Sequence, residues 1–181
     1  MGSEKAFERV GGLRILDRIV SRLAPQVTAA VINANGDPGR FASSGLAVIP
    51  DLRSGAGTPL AGLHAAISHA AASGYDAALT VPCDVPFIPR DLVERLCQHG
   101  GAAVAASGGQ AHYLTGLWPS GCLSEVEAAL SENPLPRMQD WVRRRSAIAV
   151  AWPTEPFDPF LNVNTPQDLA EANRIAERFS A

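Results

Sequence analysis

Apolar residues recur at helical spacing in some parts of the chain and form short continuous runs in others. Between Leu13 and Leu23 they follow the helical period, which predicts a helix that stops before Pro25. The segment TPLAGLHAAISHAAASG predicts a second helix, with Thr58 at the N-cap and Pro59 at the first helical position. Further helices are predicted in PRDLVERLCQHG, CLSEVEAAL, RMQDWVRRR and TPQDLAEANRIAERF.

Short apolar runs between these helices predict the strands. They are TAAVINAN, LAVIPD, DAALTVPCDVPFIP, AAVAAS, HYLTGLW and AIAVAW, the third of which breaks into a loop punctuated by prolines. Strands that alternate with helices and are apolar throughout are typical of a mainly parallel sheet covered on both faces. The pattern therefore predicts an α/β fold with a three-layer, doubly wound, mainly parallel sheet.

Composition narrows the classes of protein that the pattern allows. The 181 residues are 46% hydrophobic and 18% charged, which suits a single globular domain over residues 1–181. A formal net charge of -3 gives no global positive field to attract nucleic acid or an anionic membrane. The three cysteines form no C-x-x-C pair, so the sequence predicts neither a zinc site nor a disulfide framework. This cysteine usage favours a protein of the reducing cytoplasm. No apolar stretch is long enough to predict a membrane span.

Polar residues directly follow the predicted strands. In open α/β sheets ligands bind beyond the carboxyl ends of the strands, so these residues are the candidates for a site. They are Asn33, Asn35, Asp51, Asp84, Asn162 and Asn164.

Asp84 lies in the sequence PCDVP, where Pro82 and Pro86 stiffen the loop around the carboxylate. A fixed oxygen ligand of this kind suits Mg²⁺, which takes one or two carboxylates together with phosphate oxygens and water. The alternative interpretation is an aspartate that caps a turn.

Asp51 precedes a glycine-containing stretch and a helix N-terminus, in VIPDLRSGAGTPLAG. Backbone N–H groups there can hold an anion or the edge of a base, and an ordinary surface loop is the alternative. Asn162 and Asn164 lie on the same side of an extended segment, where their amides either bind a polar ligand or pin a neighbouring loop. Thr165 and Asp168 follow them as an acidic variant of the capping box.

Lys5 is the remaining candidate, as a point charge for phosphate in the opening sequence MGSEK. A solvated lysine is the alternative interpretation. The sequence offers no convincing covalent nucleophile.

Six motifs occur together in an order and approximate spacing that resemble those of a known family. They are MGSEK, VINAN, VIPD, TPLAG, PCDVPFIP and NVNTPQDL. The family is the molybdenum cofactor guanylyltransferases, the MobA-type nucleotidyltransferases, and the resemblance runs over nearly the whole chain. It implies a Rossmann-like nucleotidyltransferase fold and an enzyme that joins GTP to molybdopterin, with Mg²⁺, and releases pyrophosphate.

The resemblance also implies a role for each candidate residue. Lys5 would contact the GTP phosphates, and Asp84 would bind both Mg²⁺ and nucleotide. Asn33 and Asp51 would hold the guanosine, and the two further asparagines, Asn162 and Asn164, would lie near the phosphate of the incoming molybdopterin. The implied partners are the two substrates, with proteins that deliver molybdopterin or receive the finished cofactor, and neither nucleic acid nor a membrane.

The chain departs from the family pattern in two places. Family members usually begin with a hydrophobic strand and a loop resembling L-A-G-G-x-S-x-R-M-G-x-x-K, of which Met1, Gly2 and Lys5 retain only the end. We therefore expect Met1 to be an internal methionine, with on the order of 15 to 20 residues upstream, about one strand and one loop. The sheet should then show a gap, a closed-up rearrangement or a borrowed strand. The second departure is Thr58, which stands where a glycine is common before the PLAG helix.

Three alternatives to guanylyl transfer follow from the same motifs. The sister cytidylyltransferases, which use CTP, typically show a DQP-like sequence where this chain has CDVP, so the resemblance favours guanine. Sugar-phosphate nucleotidyltransferases are usually longer chains. A non-catalytic protein that binds GTP or molybdopterin is the alternative that the shortened phosphate loop suggests.

Overall fold

The computed structural model describes residues 5–53 and 57–179. Met1 and Gly2, interpreted above as the end of a phosphate loop, lie outside the described residues, as do residues 54–56 of the glycine-containing stretch. The α-helices are α1 (Ile15–Leu23), α2 (Pro59–Ala72), α3 (Leu92–Cys97), α4 (Leu123–Ala129), α5 (Met138–Arg144) and α6 (Pro166–Phe179). The strands are β1 (Arg9–Val10), β2 (Leu13–Arg14), β3 (Val31–Asn33), β4 (Ala47–Ile49), β5 (Ala77–Thr80), β6 (Ala103–Ser107), β7 (Gln110–Pro119) and β8 (Ile148–Trp152).

Every helix and strand predicted from the apolar pattern is present. The helix α2 begins at Pro59 with Thr58 in the N-cap position, as expected. The Thr58 side chain makes no capping hydrogen bond, however, because the Ala61 N–H donates to the main-chain carbonyl of Thr58 instead (3.0 Å). Thr58 therefore caps the helix with its main-chain carbonyl and not with its side chain.

The central sheet has the strand order β5-β7-β6-β8. Strands β6 and β8 are parallel, whereas β7 is antiparallel to both of its neighbours, so the sheet is mixed rather than uniformly parallel. The reason is the connection between β6 and β7, which consists of Gly108 and Gly109, both with positive φ (54° and 80°). Two glycines in this conformation form a tight hairpin, and a hairpin can join only antiparallel strands.

A second Gly-Gly connection forms another hairpin, which the apolar pattern did not predict. Strands β1 and β2 pair across Gly11 and Gly12, whose φ values are 57° and 82°. Strands of two residues are too short to show a hydrophobic period. Only the Gly11–Gly12 pair could have indicated this hairpin from the sequence.

Helices cover both faces of the central sheet, which confirms the three predicted layers. Alternate residues of β6 point to opposite faces. Ala103 and Ala105 pack in a core with residues of α1, α3 and α6, and Val104 packs in a second core with residues of α2, α4 and α5. Among the described residues, none of the helices has the length and apolar character needed to cross a membrane.

A break in the sheet separates β3 and β4, which form their own parallel pair, from the four-stranded sheet. Helix α2 contacts both β3 and β5, so the break lies between these two strands. Within residues 5–53 and 57–179 no backbone ladder crosses it, as expected for a gap in the sheet. A small apolar cluster packs beside it, with Ala6, Ile32 and Cys83 among its members.

Candidate active site

The loop after β5 carries Asp84 to the carboxyl end of the sheet. The main-chain carbonyl of Asp84 accepts a hydrogen bond from the Val163 N–H (2.8 Å). Residues 153–165 connect β8 to α6, and we call them the β8–α6 segment. This backbone contact holds the segment against the Asp84 loop, so Asn162 and Asn164 lie on either side of a residue that is fastened to the candidate metal ligand.

Asn162 and Asn164 flank a residue of opposite burial, the alternation expected of an extended segment. Both are exposed, whereas Val163 between them is buried. The Lys5 ammonium donates a hydrogen bond to Asn164 Oδ1 (2.5 Å). Three of the predicted site residues, Lys5, Asp84 and Asn164, therefore meet at one edge of the fold.

A capping box at the start of α6 fixes the position of Asn164. Asp168 Oδ2 accepts from the N–H groups of Asn164 (3.0 Å) and Thr165 (2.8 Å), and Thr165 Oγ1 accepts from the Asp168 N–H (3.1 Å). These amide donors hold the pKa of Asp168 below its usual value, because they stabilise the ionised carboxylate. The predicted acidic capping box is confirmed.

Asp84 is half-buried, and its charge is sensitive to its surroundings. Burial raises the pKa of Asp84, while a backbone hydrogen bond and the positive charge of Lys5 act in the opposite direction. Burial and the negative charge of Asp84 both raise the pKa of the neighbouring Cys83 thiol. The thiol is therefore not activated, and a nearby cation favours the ionised form of the Asp84 carboxylate.

A second polar group lies at the ends of β3 and β4. Asp51 Oδ1 accepts from Asn33 Nδ2 (3.1 Å), and Asp51 Oδ2 accepts from Asn35 Nδ2 (2.8 Å). The Asp51 N–H in turn donates to Asn35 Oδ1 (2.9 Å). Asn33 and Asp51 therefore form one fixed unit, which Asn35, the further candidate at this strand end, completes.

Gly62 of α2 makes room for this unit. A Cβ atom at residue 62 would lie 2.6 Å from Asn33 Oδ1 and 3.9 Å from Asp51 Oδ1. Only a glycine lets the helix approach the asparagine this closely. The glycine of the PLAG motif was visible in the sequence, but its contact with Asn33 was not predicted.

Oxygen ligands at the Asp84 edge suit a hard cation that shares its coordination with a substrate. Within the described part of the chain, no group of three or more His, Cys, Asp and Glu side chains is placed to hold a metal ion. Asp84 supplies a carboxylate, and the two nearby asparagines supply amide oxygens. Mg²⁺ commonly binds proteins through one or two carboxylates and takes its other ligands from phosphate and water.

A third polar group at the carboxyl edge was missed by sequence reasoning. Ser107, His112 and Asp158 are joined by short hydrogen bonds, although 51 residues separate the first from the last. Ser107 ends β6, His112 lies on β7, and Asp158 belongs to the β8–α6 segment. Single polar residues at such separations carry no local sequence signal.

Comparison with known proteins identifies the family to which the chain belongs. The family described as "MobA-like NTP transferase domain" matches residues 1–148. A molybdenum cofactor guanylyltransferase from Nitrobacter hamburgensis is 43% identical over 182 residues, covering 97% of this chain and 87% of the relative. One from Cereibacter sphaeroides is 39% identical over 179 residues, covering 98% and 90%.

Solved structures agree at the level of the fold. Molybdopterin-guanine dinucleotide biosynthesis protein A from Archaeoglobus fulgidus has a TM-score of 0.73 and 22% identity, covering 97% of this chain and 92% of that one. The 2-C-methyl-D-erythritol 4-phosphate cytidylyltransferase from Thermus thermophilus has a TM-score of 0.66 and 19% identity, covering 97% and 95%. The predicted nucleotidyltransferase fold is therefore confirmed.

Proposed function

The chain belongs to the MobA-like NTP transferase family and is a nucleotidyltransferase, and we propose that it transfers GMP from GTP to molybdopterin with release of pyrophosphate. The product is the guanine dinucleotide form of the molybdenum cofactor. Relatives at about 40% identity over nearly the whole chain carry this activity in their names. The observation that supports it in the structure is the meeting of Lys5, the Asp84 loop and Asn164 at one edge of the fold.

Lys5 contacts the GTP phosphates in this proposal. An ammonium has three N–H donors, and Lys5 uses one of them for Asn164, which leaves two for phosphate oxygens. The remaining candidates at this edge, Asn162 and Asn164, are exposed and bind near the phosphate of molybdopterin. The two phosphate-bearing substrates thus meet between the lysine and the asparagine pair.

Asn33 and Asp51 hold the guanosine. Each Asp51 oxygen accepts one asparagine N–H and keeps a further lone pair. Guanine and ribose both present N–H or O–H donors to such an acceptor. Because the two asparagine amides already fix the carboxylate, binding the nucleoside does not have to order it.

The transfer forms one bond and breaks another at the α-phosphorus of GTP. A phosphate oxygen of molybdopterin attacks that atom, and the bond to the β-phosphate breaks as pyrophosphate leaves with its electron pair. MobA-type nucleotidyltransferases generally use a divalent metal ion, and we propose Mg²⁺ held by Asp84, which would neutralise negative charge on the phosphates. The Lys5 ammonium adds a positive charge on the same side without requiring a covalent intermediate.

The test is transfer by the purified chain of labelled GMP from α-³²P-GTP to molybdopterin, with CTP as the matched control nucleotide. We expect a guanine dinucleotide and one pyrophosphate per transfer with GTP, and little product with CTP. Equal use of both nucleotides would contradict guanine specificity. Binding of GTP without any transfer would indicate a non-catalytic binding protein instead.

Replacing Gly62 with alanine is expected to raise the KM for GTP by about tenfold, the size expected from weakening one hydrogen bond to a charged group. The new Cβ would displace Asn33 Oδ1 and so disturb the unit that holds Asp51. In an ordinary helix interior the same change is stabilising by roughly 1 kcal/mol, so weaker binding would have to come from the contact with Asn33. Steady-state kinetics with varied GTP measure the effect. Gly121→Ala is the control, because a Cβ there meets no atom within 4 Å, and an unchanged KM for G62A would contradict the assignment of Asn33.

A further inference from the structure

The Ser107–His112–Asp158 network lies at the same edge as the candidate active site. The pairing of β5 with β7 ends at Thr80 and Gly116, so β7 residues 110–115 extend past the end of β5, on the side where the chain continues to Asp84. The β8–α6 segment spans this edge. Asp158 attaches it to Ser107, and Val163 attaches it to the Asp84 loop.

Counting protons settles the direction of the hydrogen bonds. Ser107 has one hydroxyl hydrogen and lies 2.9 Å from Asp158 Oδ2 and 2.7 Å from His112 Nε2. The carboxylate has no hydrogen to offer, so the hydroxyl donates to Asp158. His112 Nε2 must therefore carry a hydrogen and donate to Ser107 Oγ. Burial lowers the pKa of His112, with the Asp158 charge opposing part of the shift. A neutral ring that donates through Nε2 has no hydrogen on Nδ1.

His112 also contacts the β8–α6 segment directly. Its ring packs against Phe160 at a centroid distance of 4.8 Å, and Trp152 packs against the same phenyl ring at 5.4 Å. The Phe160 N–H donates to Asp158 Oδ1 (2.9 Å). His112 thus holds the segment twice, through the Phe160 ring and through Ser107.

We propose that His112 is a positioning residue for the acceptor substrate, acting through Ser107 and Asp158 on the segment that carries Asn162 and Asn164. Ser107 is only 3% exposed, so water cannot readily replace the N–H of His112. Without that donor the buried Ser107 Oγ is left short of one hydrogen bond, which weakens the Ser107–Asp158 attachment of the segment. The proposal rests on the proposed function, because that function assigns molybdopterin to the asparagine pair.

The effect should fall on one substrate only. Asn33 and Asp51, which hold the guanosine, lie at the ends of β3 and β4, and none of their hydrogen bonds involves the network. Disturbing the β8–α6 segment should therefore weaken molybdopterin binding and leave GTP binding nearly unchanged. A residue that only stabilised the fold would lower the amount of active protein and leave both KM values as they are.

The test compares His112→Phe with His112→Gln. Phenylalanine keeps a ring against Phe160 but has no N–H donor, whereas glutamine keeps a donor and loses the ring. We expect H112F to raise the KM for molybdopterin about tenfold, the effect of leaving one buried hydrogen-bonding group unpaired. The KM for GTP should stay within about twofold, and H112Q should restore most of the molybdopterin affinity if the hydrogen bond is the cause.

Ser107→Ala gives a second test of the same connection. S107A should resemble H112F, and the double variant should be no worse than either single one, because both changes break one chain of hydrogen bonds. Additive effects, or equal increases in both KM values, would overturn the proposal. A wild-type chain that transfers no GMP would overturn the proposed function instead, whereas normal transfer with an unchanged molybdopterin KM in H112F would overturn this inference alone.

Nitrogen NMR on the wild-type protein tests the geometry without any variant. The histidine side-chain ¹⁵N shifts and two-bond couplings distinguish the two neutral tautomers. We expect His112 to carry its hydrogen on Nε2, and Asp158→Asn to move it to Nδ1, because the asparagine amide would then donate to Ser107 Oγ. An Nδ1–H tautomer in the wild-type protein would overturn the hydrogen-bond order on which the inference depends.

Discussion

Asp84→Asn is expected to lower the rate of GMP transfer by about 10²-fold or more, the loss typical of removing a preorganised group that stabilises charge in the transition state. Asparagine has nearly the shape of aspartate but lacks the charge that would hold a divalent cation beside the phosphates. The turnover number at saturating GTP and molybdopterin measures the effect. A variant that keeps near-normal turnover would contradict the assignment of Asp84.

The same substitution should make the protein more stable at pH 7. Burial raises the pKa of Asp84 above its value in the unfolded chain, so the fold favours the protonated carboxyl. The stability that this preference contributes is fully present below the unfolded pKa and is lost as the pH rises through the folded pKa. At pH 7 the ionised carboxylate therefore opposes folding, and asparagine removes that cost.

Thermal unfolding without metal or nucleotide separates the two effects. We expect D84N to unfold at a higher temperature than the wild type at pH 7, and the difference to vanish at acidic pH where Asp84 is protonated. Asp76→Asn is the matched control, because Asp76 is exposed and precedes β5, whereas Asp84 follows the end of that strand. Loss of both activity and stability in D84N would indicate a structural role for Asp84.

The sequence selected Asn33, Asp51 and Asp84 as candidate site residues because they follow strand ends. The expectation that Asn162 and Asn164 directly follow a strand was wrong, because β8 ends at Trp152 and both asparagines lie in the β8–α6 segment. In an α/β sheet the carboxyl ends of parallel strands share one edge. A polar residue that follows an apolar strand is therefore a site candidate even when none of its contacts is known. That rule selected Asp84 and Asn33 before their partners were known. The capping box at Thr165 was equally accessible, since all of its members lie within one helical turn.

Contacts between segments that are distant in the chain could not be predicted from the sequence. His112 and Ser107 lie on neighbouring strands, but Asp158 joins them only because β8 pairs with β6 and brings the β8–α6 segment alongside. The direction of β7 was missed for a different reason. Its apolar run looks like that of a parallel strand, and only the Gly108–Gly109 connection shows that the chain must reverse.

Lys5→Met is expected to lower kcat/KM for GTP by about 10²-fold and to move the acid limb of the pH profile to higher pH. The first effect follows from the loss of a positive charge that neutralises the phosphates during transfer. The second follows from the position of Lys5 beside Asp84. The ammonium lowers the pKa of Asp84, so its removal raises that pKa, and more of the carboxyl is protonated at a given acidic pH.

The profile of kcat/KM reports the free enzyme, in which Asp84 titrates before substrate binds. Lys5→Arg is the matched control, because arginine keeps the positive charge but offers a planar fork in place of a compact ammonium. We expect K5R to lose part of the rate while its acid limb stays near that of the wild type.

If K5M stayed within about threefold of the wild-type kcat/KM, Lys5 would be no more than the partner of Asn164, and its contact with that side chain would be structural. A rate loss in K5M without any shift of the acid limb would instead separate the two roles, because Lys5 would then act on the phosphates and not through the charge of Asp84.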